Sequence, residues 1–289
     1  MSQNAQSGDI KGANGMSDKP LLTLGNNEIH LWISFPEAIR EPQLLARYDQ
    51  LMTTEERDKQ QRYIFERDRH DALITRALVR TVLSRYIAVA PEHWRFTKGD
   101  KGKPEIVDAP WPLRFNVSHT QGMIICGITR DHDLGVDIEH INRSTEVTDI
   151  ADRFFSPVEV REMFSLPASE SRSRFFDYWT LKESYIKAWG QGLAIPLDHF
   201  SFHIKDASRV GTTNRDIQMS FAPERNDNPA DWQSWLFYPN ATHRMAVSLR
   251  GAGTSGHELK LFQCVPLLRE WNVELPIGVP PMDEGPKKR

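Results

Sequence analysis

The chain has 289 residues, 39% of them hydrophobic, and a formal net charge of -3 at pH 7. That is enough apolar material for one large domain or two halves, and the charge excludes a generally basic, nucleic-acid-coating surface. No apolar run reaches the roughly 18 residues of a spanning helix, the start lacks the apolar core of a secretory signal, and Cys126 and Cys264 show no metal or redox spacing. The expectation is a cytoplasmic protein with reduced core thiols and neither a nucleic-acid nor a membrane partner.

Residues 1–20 are polar and small, which predicts a disordered lead-in. Apolar residues alternate over 28–35, a first strand that Pro36 ends. From Thr54, an N-cap-type residue followed by acidic ones, apolar positions 73, 74, 77, 78, 82 and 83 give a helical region broken near Tyr63. Its arginines 67, 69, 76, 80 and 85 read as a solvated face that lines an anion site if the helix borders a cleft. Strand-like pieces follow at 94–97, 113–117, 123–128 and 134–138. Ser156, Pro157 and Glu159 then have the order of an N-cap, a first-turn proline and a first-turn acid. A helix over 179–193 ends in glycines 190 and 192, with Pro196 beyond. Segments 200–204, 217–221, 235–238, 245–249 and 259–265 read as strands of a second sheet, and the proline-rich stretch from Pro266 as a peripheral tail. The repeated series of strand, helices and strands suggests an α+β protein of two similar halves, 21–134 and 135–265, with 266–289 as the tail.

The chemistry concentrates in three places. In LGVDIEHI the strand pleat sends Asp137 and Glu139 to one face and Val136 and Ile138 to the other. On the helix, Trp179, Glu183 and Lys187 stand at successive i, i+4 steps. Glu183 could complete an oxygen-only set suited to a hard cation such as Mg²⁺, whose remaining ligands come from substrate phosphates. A polar strand end and a solvated ion pair are the plain alternatives. Lys187, one turn from Glu183, is spaced to meet a phosphate oxygen. Lys101 and Lys103 flank Gly102 in a turn that either cradles an anion or is simply exposed. In FNVSHTQG, Asn116, Ser118 and His119 sit where a strand enters a turn, without a nucleophile-elbow pattern, so Ser118 and His119 read as ligand-binding groups; a structural histidine is the competing view.

FNVSH (115–119), GVDIE (135–139) and WTLKESYIKAWGQGL (179–193), in this order, resemble the signature motifs of the Sfp-type 4'-phosphopantetheinyl transferases. The segment RYIFERDRHDALITRALVR (62–80) and the loop KGKP (101–104) also resemble the family's N-terminal half. The resemblance implies a pseudo-twofold α+β monomer whose halves each pair a small, mostly antiparallel sheet with packed helices. Coenzyme A would bind between them, with Mg²⁺ on its pyrophosphate, and the 4'-phosphopantetheine arm would pass to a serine of an apo acyl or peptidyl carrier protein, leaving 3',5'-ADP. Carried over by motif, Asp137, Glu139 and Glu183 would bind the metal and Lys187 the phosphates. Lys103, Ser118, His119 and Arg67 would contact the nucleotide and its phosphates. Glu183 is the first choice of base, with Glu159 the alternative, and Glu56 stands where some relatives carry a lysine. The competing readings are another Mg²⁺-dependent enzyme acting on a diphosphate and an inactive carrier-protein-binding module.

Overall fold

The computed structural model describes residues 19–99, 102–144, 146–190, 192–205, 209–251 and 256–279. Residues 1–18 of the lead-in expected over 1–20, Lys101 and the end of the tail from 280 lie outside the described residues. Strand β1 (Glu28–Ser34) precedes helices α1 (Pro42–Leu51), α2 (Thr54–Gln61) and α3 (Glu66–Leu83). The hairpin β2 (Phe96–Lys98) and β3 (Pro104–Ile106) leads into β4 (Leu113–Thr120), β5 (Met123–Arg130) and β6 (Asp133–His140). Helices α4 (Val147–Phe154), α5 (Pro157–Ser165) and α6 (Ala168–Trp189) follow. The remaining strands are β7 (Phe200–Ile204), β8 (Thr213–Asn214), β9 (Ile217–Phe221), β10 (Trp232–Phe237), β11 (His243–Arg250), β12 (Glu258–Val265) and β13 (Arg269–Asn272).

The helix boundaries follow local chemistry. Thr53 rather than Thr54 caps α2, taking the Glu56 amide while the Glu56 carboxylate takes the Thr53 amide. The same reciprocal box joins Ser156 and Glu159 at the start of α5, with Pro157 in the first turn. Helix α6 ends where Gly190 adopts φ 70°, a left-handed conformation that a side chain disfavours.

Two sheets organise the chain. The first has the order β13-β12-β1-β5-β4 and the second β6-β11-β10-β8. Pleat alternation divides the apolar residues into three cores. Trp32, Ile124, Cys126 and Ile128 face α3, whose Ile74, Ala77, Leu78 and Val82 pack on them. Leu31, Ile33 and Ile125 on the first sheet meet Val136, Ile138, Trp235 and Val247 on the second, so the sheets pack on one another. Phe175, Leu181 and Tyr185 of α6 pack with Leu236 and Ala246 on the far face of the second sheet. Both cysteines are buried and free. Among the described residues no helix is long and apolar enough to cross a membrane.

Several expectations are corrected here. The strand at 259–265 is part of the first sheet, where β12 runs parallel to β1. Period-two alternation defines a strand's faces but carries no information about which distant edge it joins. Strands β7 and β9 form a separate two-stranded antiparallel sheet. The segment from Pro266 is not peripheral over its described part: Tyr48 donates to the Pro266 carbonyl at 2.7 Å, Glu270 pairs with Arg85 at 2.9 Å, and Leu267 and Ile277 are buried. Nor are Arg80 and Arg85 on a solvated face. Arg80 is buried, donating to the carbonyls of Pro91 and Trp94 and pairing with Glu56 at 2.7 Å.

Candidate active site

The polar cluster forms where the free edge of one sheet meets the free edge of the other. Strands β4 and β6 end their respective sheets, and Asn116 of β4 accepts the Val136 amide of β6 at 2.8 Å, joining the two edges. With Val136 and Ile138 committed to the core between the sheets, Gly135, Asp137 and Glu139 face α6. Gly135 is where helix and strand touch: a Cβ there would lie 1.9 Å from the Ser184 carbonyl oxygen. That approach presents Glu183 and Lys187, each one residue before a contacting position and on the same flank of the helix, to the strand carboxylates.

Lys187 Nζ donates to Asp137 Oδ1 at 2.6 Å and to Ser118 Oγ at 2.8 Å, and Ser118 Oγ also donates to Asp137 Oδ1 at 2.9 Å. Asp137 Oδ2 is buried, with no hydrogen-bond partner among the described residues. Glu139 accepts from Trp179 Nε1 at 2.9 Å and pairs with Arg143 Nη1 at 2.9 Å. Burial, then the Asp137 charge, push Glu139 up to about 7. The same two causes, in the same order, raise Glu183 above the ordinary carboxylate value. Asp137 thus acts on both glutamates, which places each of them within electrostatic reach of it.

Among the described residues, no group of three or more His, Cys, Asp or Glu is gathered in a ready metal-binding arrangement. Lys187 sits on Asp137 and Arg143 on Glu139, so cations of the chain itself take lone pairs that a metal would use. The donor set still fits a hard cation. It is all oxygen, its glutamates are held in unfavourable proximity to a like charge, and Asp137 Oδ2 is a buried acceptor without a donor.

The neighbouring cleft has a volume of about 320 Å³ and is lined by Gly102, Lys103, Asn116, Glu183, Lys187 and Gly192 among others. Lys103 Nζ donates to the carbonyls of Leu134 at 3.1 Å and Ala188 at 3.0 Å, clamping the end of α6 to β6 and leaving one of its three protons without a partner among the described residues. Burial lowers its pKa. His119 leaves β4 on the face opposite Ser118 and is exposed. Its pKa is lowered by crowding first and then by the Lys187 charge, and it also lies within the fields of Asp68 and Arg76 on α3. Arg67 is exposed in the first turn of α3 and reaches Asp68 at 3.7 Å.

Glu159 is elsewhere. It is fully buried against Lys182 at 2.8 Å, and its two oxygens are taken by the Phe202 amide and by the amide and hydroxyl of Ser156. Its side chain is fully buried and does not line the cleft, so the alternative base is corrected to a structural anion joining α5, α6 and β7. Sequence reasoning missed Arg143, which stands four residues beyond Glu139, and the roles of Gly135, Asn116 and Trp179. The spacing of Arg143 was visible, but only the turn after β6 brings it back onto the carboxylate.

The 4'-phosphopantetheinyl transferase superfamily model matches residues 133–248, and the model of the 4'-phosphopantetheinyl transferase N-terminal region matches residues 41–129. The chain is 34% identical over 178 residues to the 4'-phosphopantetheinyl transferase HetI of Nostoc sp., covering 61% of this chain and 74% of that protein. It is 34% identical over 164 residues to 4'-phosphopantetheinyl transferase Sfp of Bacillus subtilis, covering 57% and 71% respectively. With the 4'-phosphopantetheinyl transferase ffp, also of Bacillus subtilis, identity is 36% over 165 residues, covering 56% and 72%. Motifs, seam geometry and relatives agree, and the chain belongs to the Sfp-type 4'-phosphopantetheinyl transferase family of enzymes.

Proposed function

We propose that the chain transfers the 4'-phosphopantetheine group of coenzyme A, in the presence of Mg²⁺, to a serine of an apo acyl or peptidyl carrier protein, releasing 3',5'-ADP. The observation that carries this reading is Asp137, with one buried oxygen lacking a donor among the described residues and its charge acting on both Glu139 and Glu183, beside Lys187, which binds it and lines the cleft. Asp137, Glu139 and Glu183 would hold the ion. When bound, it supplies charge neutralisation to the diphosphate being cleaved.

The chain's own groups have distinct tasks. Lys187, already on Asp137 and Ser118, is fixed where a phosphate oxygen would meet it and disperses charge on the leaving group. Ser118, His119 and Lys103 line or border the nucleotide's path, and Arg67 stands at the start of α3 as an outer phosphate contact. Glu183 is the general base: burial raises its proton affinity, and among the described residues no hydrogen bond holds its carboxylate. A serine hydroxyl is a poor nucleophile until such a group takes its proton.

The topology supports a pseudo-twofold reading of the two halves. The order β1-β5-β4 in one sheet corresponds to β6-β11-β10 in the other, each with helices between its first strand and its hairpin. Coenzyme A would lie between these halves of a cytoplasmic monomer. The test is chromatographic assay of 3',5'-ADP after incubation with coenzyme A, Mg²⁺ and a panel of apo carriers. Release that needs both carrier and Mg²⁺ is expected. Nucleotide released without a carrier would favour a hydrolase, and coenzyme A binding without release would favour a binding module.

A further inference from the structure

We propose that Arg143 is a built-in counter-cation that occupies Glu139 while no divalent ion is bound, and that it thereby sets the affinity of the carboxylate site for that ion. The inference rests on the metal-site reading above and concerns a residue that this reading does not use. Both strand carboxylates carry a cation of the chain: Lys187 on Asp137 at 2.6 Å and Arg143 on Glu139 at 2.9 Å. Arg143 also lowers the proton affinity of Glu183, so it acts across the whole cluster.

The two cations are held differently. Lys187 projects from α6 onto two hydrogen-bond partners, one of them the hydroxyl of Ser118 in the opposite sheet. Arg143 lies just after β6 with its side chain 39% exposed, and its guanidinium stands over the rings of Phe176 at 5.3 Å and Trp179 at 6.0 Å. The guanidinium contacts those rings while it pairs with Glu139, so they remain available to it once it leaves the carboxylate. The backbone is strapped independently: Arg172 donates to the carbonyls of Ile141, at 3.0 Å, and of Arg143. Exchange of Arg143 for a divalent ion therefore requires a side-chain movement only. Trp179 Nε1, on the other oxygen of Glu139, keeps the carboxylate in place through the exchange.

An ion that binds only the fraction of molecules with Glu139 released has its apparent affinity reduced by that fraction. A purely positioning role for Arg143, orienting Glu139 toward the ion, gives the opposite sign on removal. The experiment is Mn²⁺ binding to the full-length, coenzyme-A-free protein, with free Mn²⁺ counted by electron paramagnetic resonance. Wild type is compared with Arg143→Met, Arg143→Gln and Asp137→Ala. Either Arg143 variant is expected to bind Mn²⁺ about tenfold more tightly, the scale of one charge-assisted hydrogen bond. Each variant should also melt lower than wild type without metal and gain more from Mn²⁺. Unchanged or weaker binding in both variants, with binding lost in Asp137→Ala, overturns the counter-cation role and leaves the metal site standing. Binding undiminished in Asp137→Ala, or absent from wild type and both Arg143 variants, overturns the metal-site reading and this proposal with it.

Discussion

Gly135 of β6 and Ser184 of α6 meet backbone to backbone: a Cβ on the glycine would stand 1.9 Å from the Ser184 carbonyl oxygen and 2.4 Å from the Ala188 amide nitrogen. Every distance between Asp137 or Glu139 and the helix depends on that contact. Gly135→Ala is expected to force α6 off the strand at a cost of about 3 kcal/mol or more, since backbone rather than a flexible side chain must move. Urea denaturation checks the stability. Gly127→Ala, where the added atom meets mainly the Val136 and Leu134 side chains, should cost less.

The buried pair of Lys182 and Glu159 predicts a steep asymmetry. Both side chains are fully buried, and Lys182 also donates to the carbonyls of Leu197 and Phe200 at 2.7 Å. Lys182→Met strands a buried carboxylate and should cost about 3–5 kcal/mol. Adding Glu159→Gln should recover part of that loss, a coupling that a double-mutant cycle measures.

Acidity supplies a third expectation. A carboxyl whose pKa is raised by folding penalises the folded state once ionised, so the penalty enters above the unfolded value and is complete above the folded one. For Glu139 that window runs from 4.5 to about 7. The metal-free protein should therefore lose stability relative to Glu139→Gln as pH rises through this range, and Mg²⁺ should narrow the difference. Thermal midpoints taken between about pH 5 and about pH 8, with and without Mg²⁺, provide the check.

Truncation after Val265 removes β13, two buried apolar side chains and the carboxylate partner of Arg85. The shortened chain should lose several kcal/mol, about 3–5 kcal/mol from the stranded guanidinium alone. Chemical denaturation, or loss of a cooperative transition altogether, reports it.

The sequence made the helix ends and the site carboxylates legible because their causes are local. Ser156, Pro157 and Glu159 state a helix start within four residues, and the pleat alone assigns Asp137 and Glu139 to one face. What stayed hidden depends on partners far along the chain. Nothing near 259–265 says that this strand completes the first sheet beside β1. Nothing local distinguishes Arg80, buried on Glu56 and two carbonyls, from the exposed Arg67 on the same helix. Glu159 illustrates the same limit, since its first-turn position was readable but its pairing with Lys182 was not.

Transfer to a carrier is read directly by intact-mass spectrometry of apo carriers after incubation with coenzyme A, Mg²⁺ and either the wild-type chain or Asp137→Ala. A carrier is expected to gain one 4'-phosphopantetheine mass with wild type and to remain unmodified with the variant, which circular dichroism should find folded. Equal modification by both proteins would contradict the placing of Asp137 at the centre of the reaction, and no modification of any carrier by the wild type would contradict the proposed transfer itself.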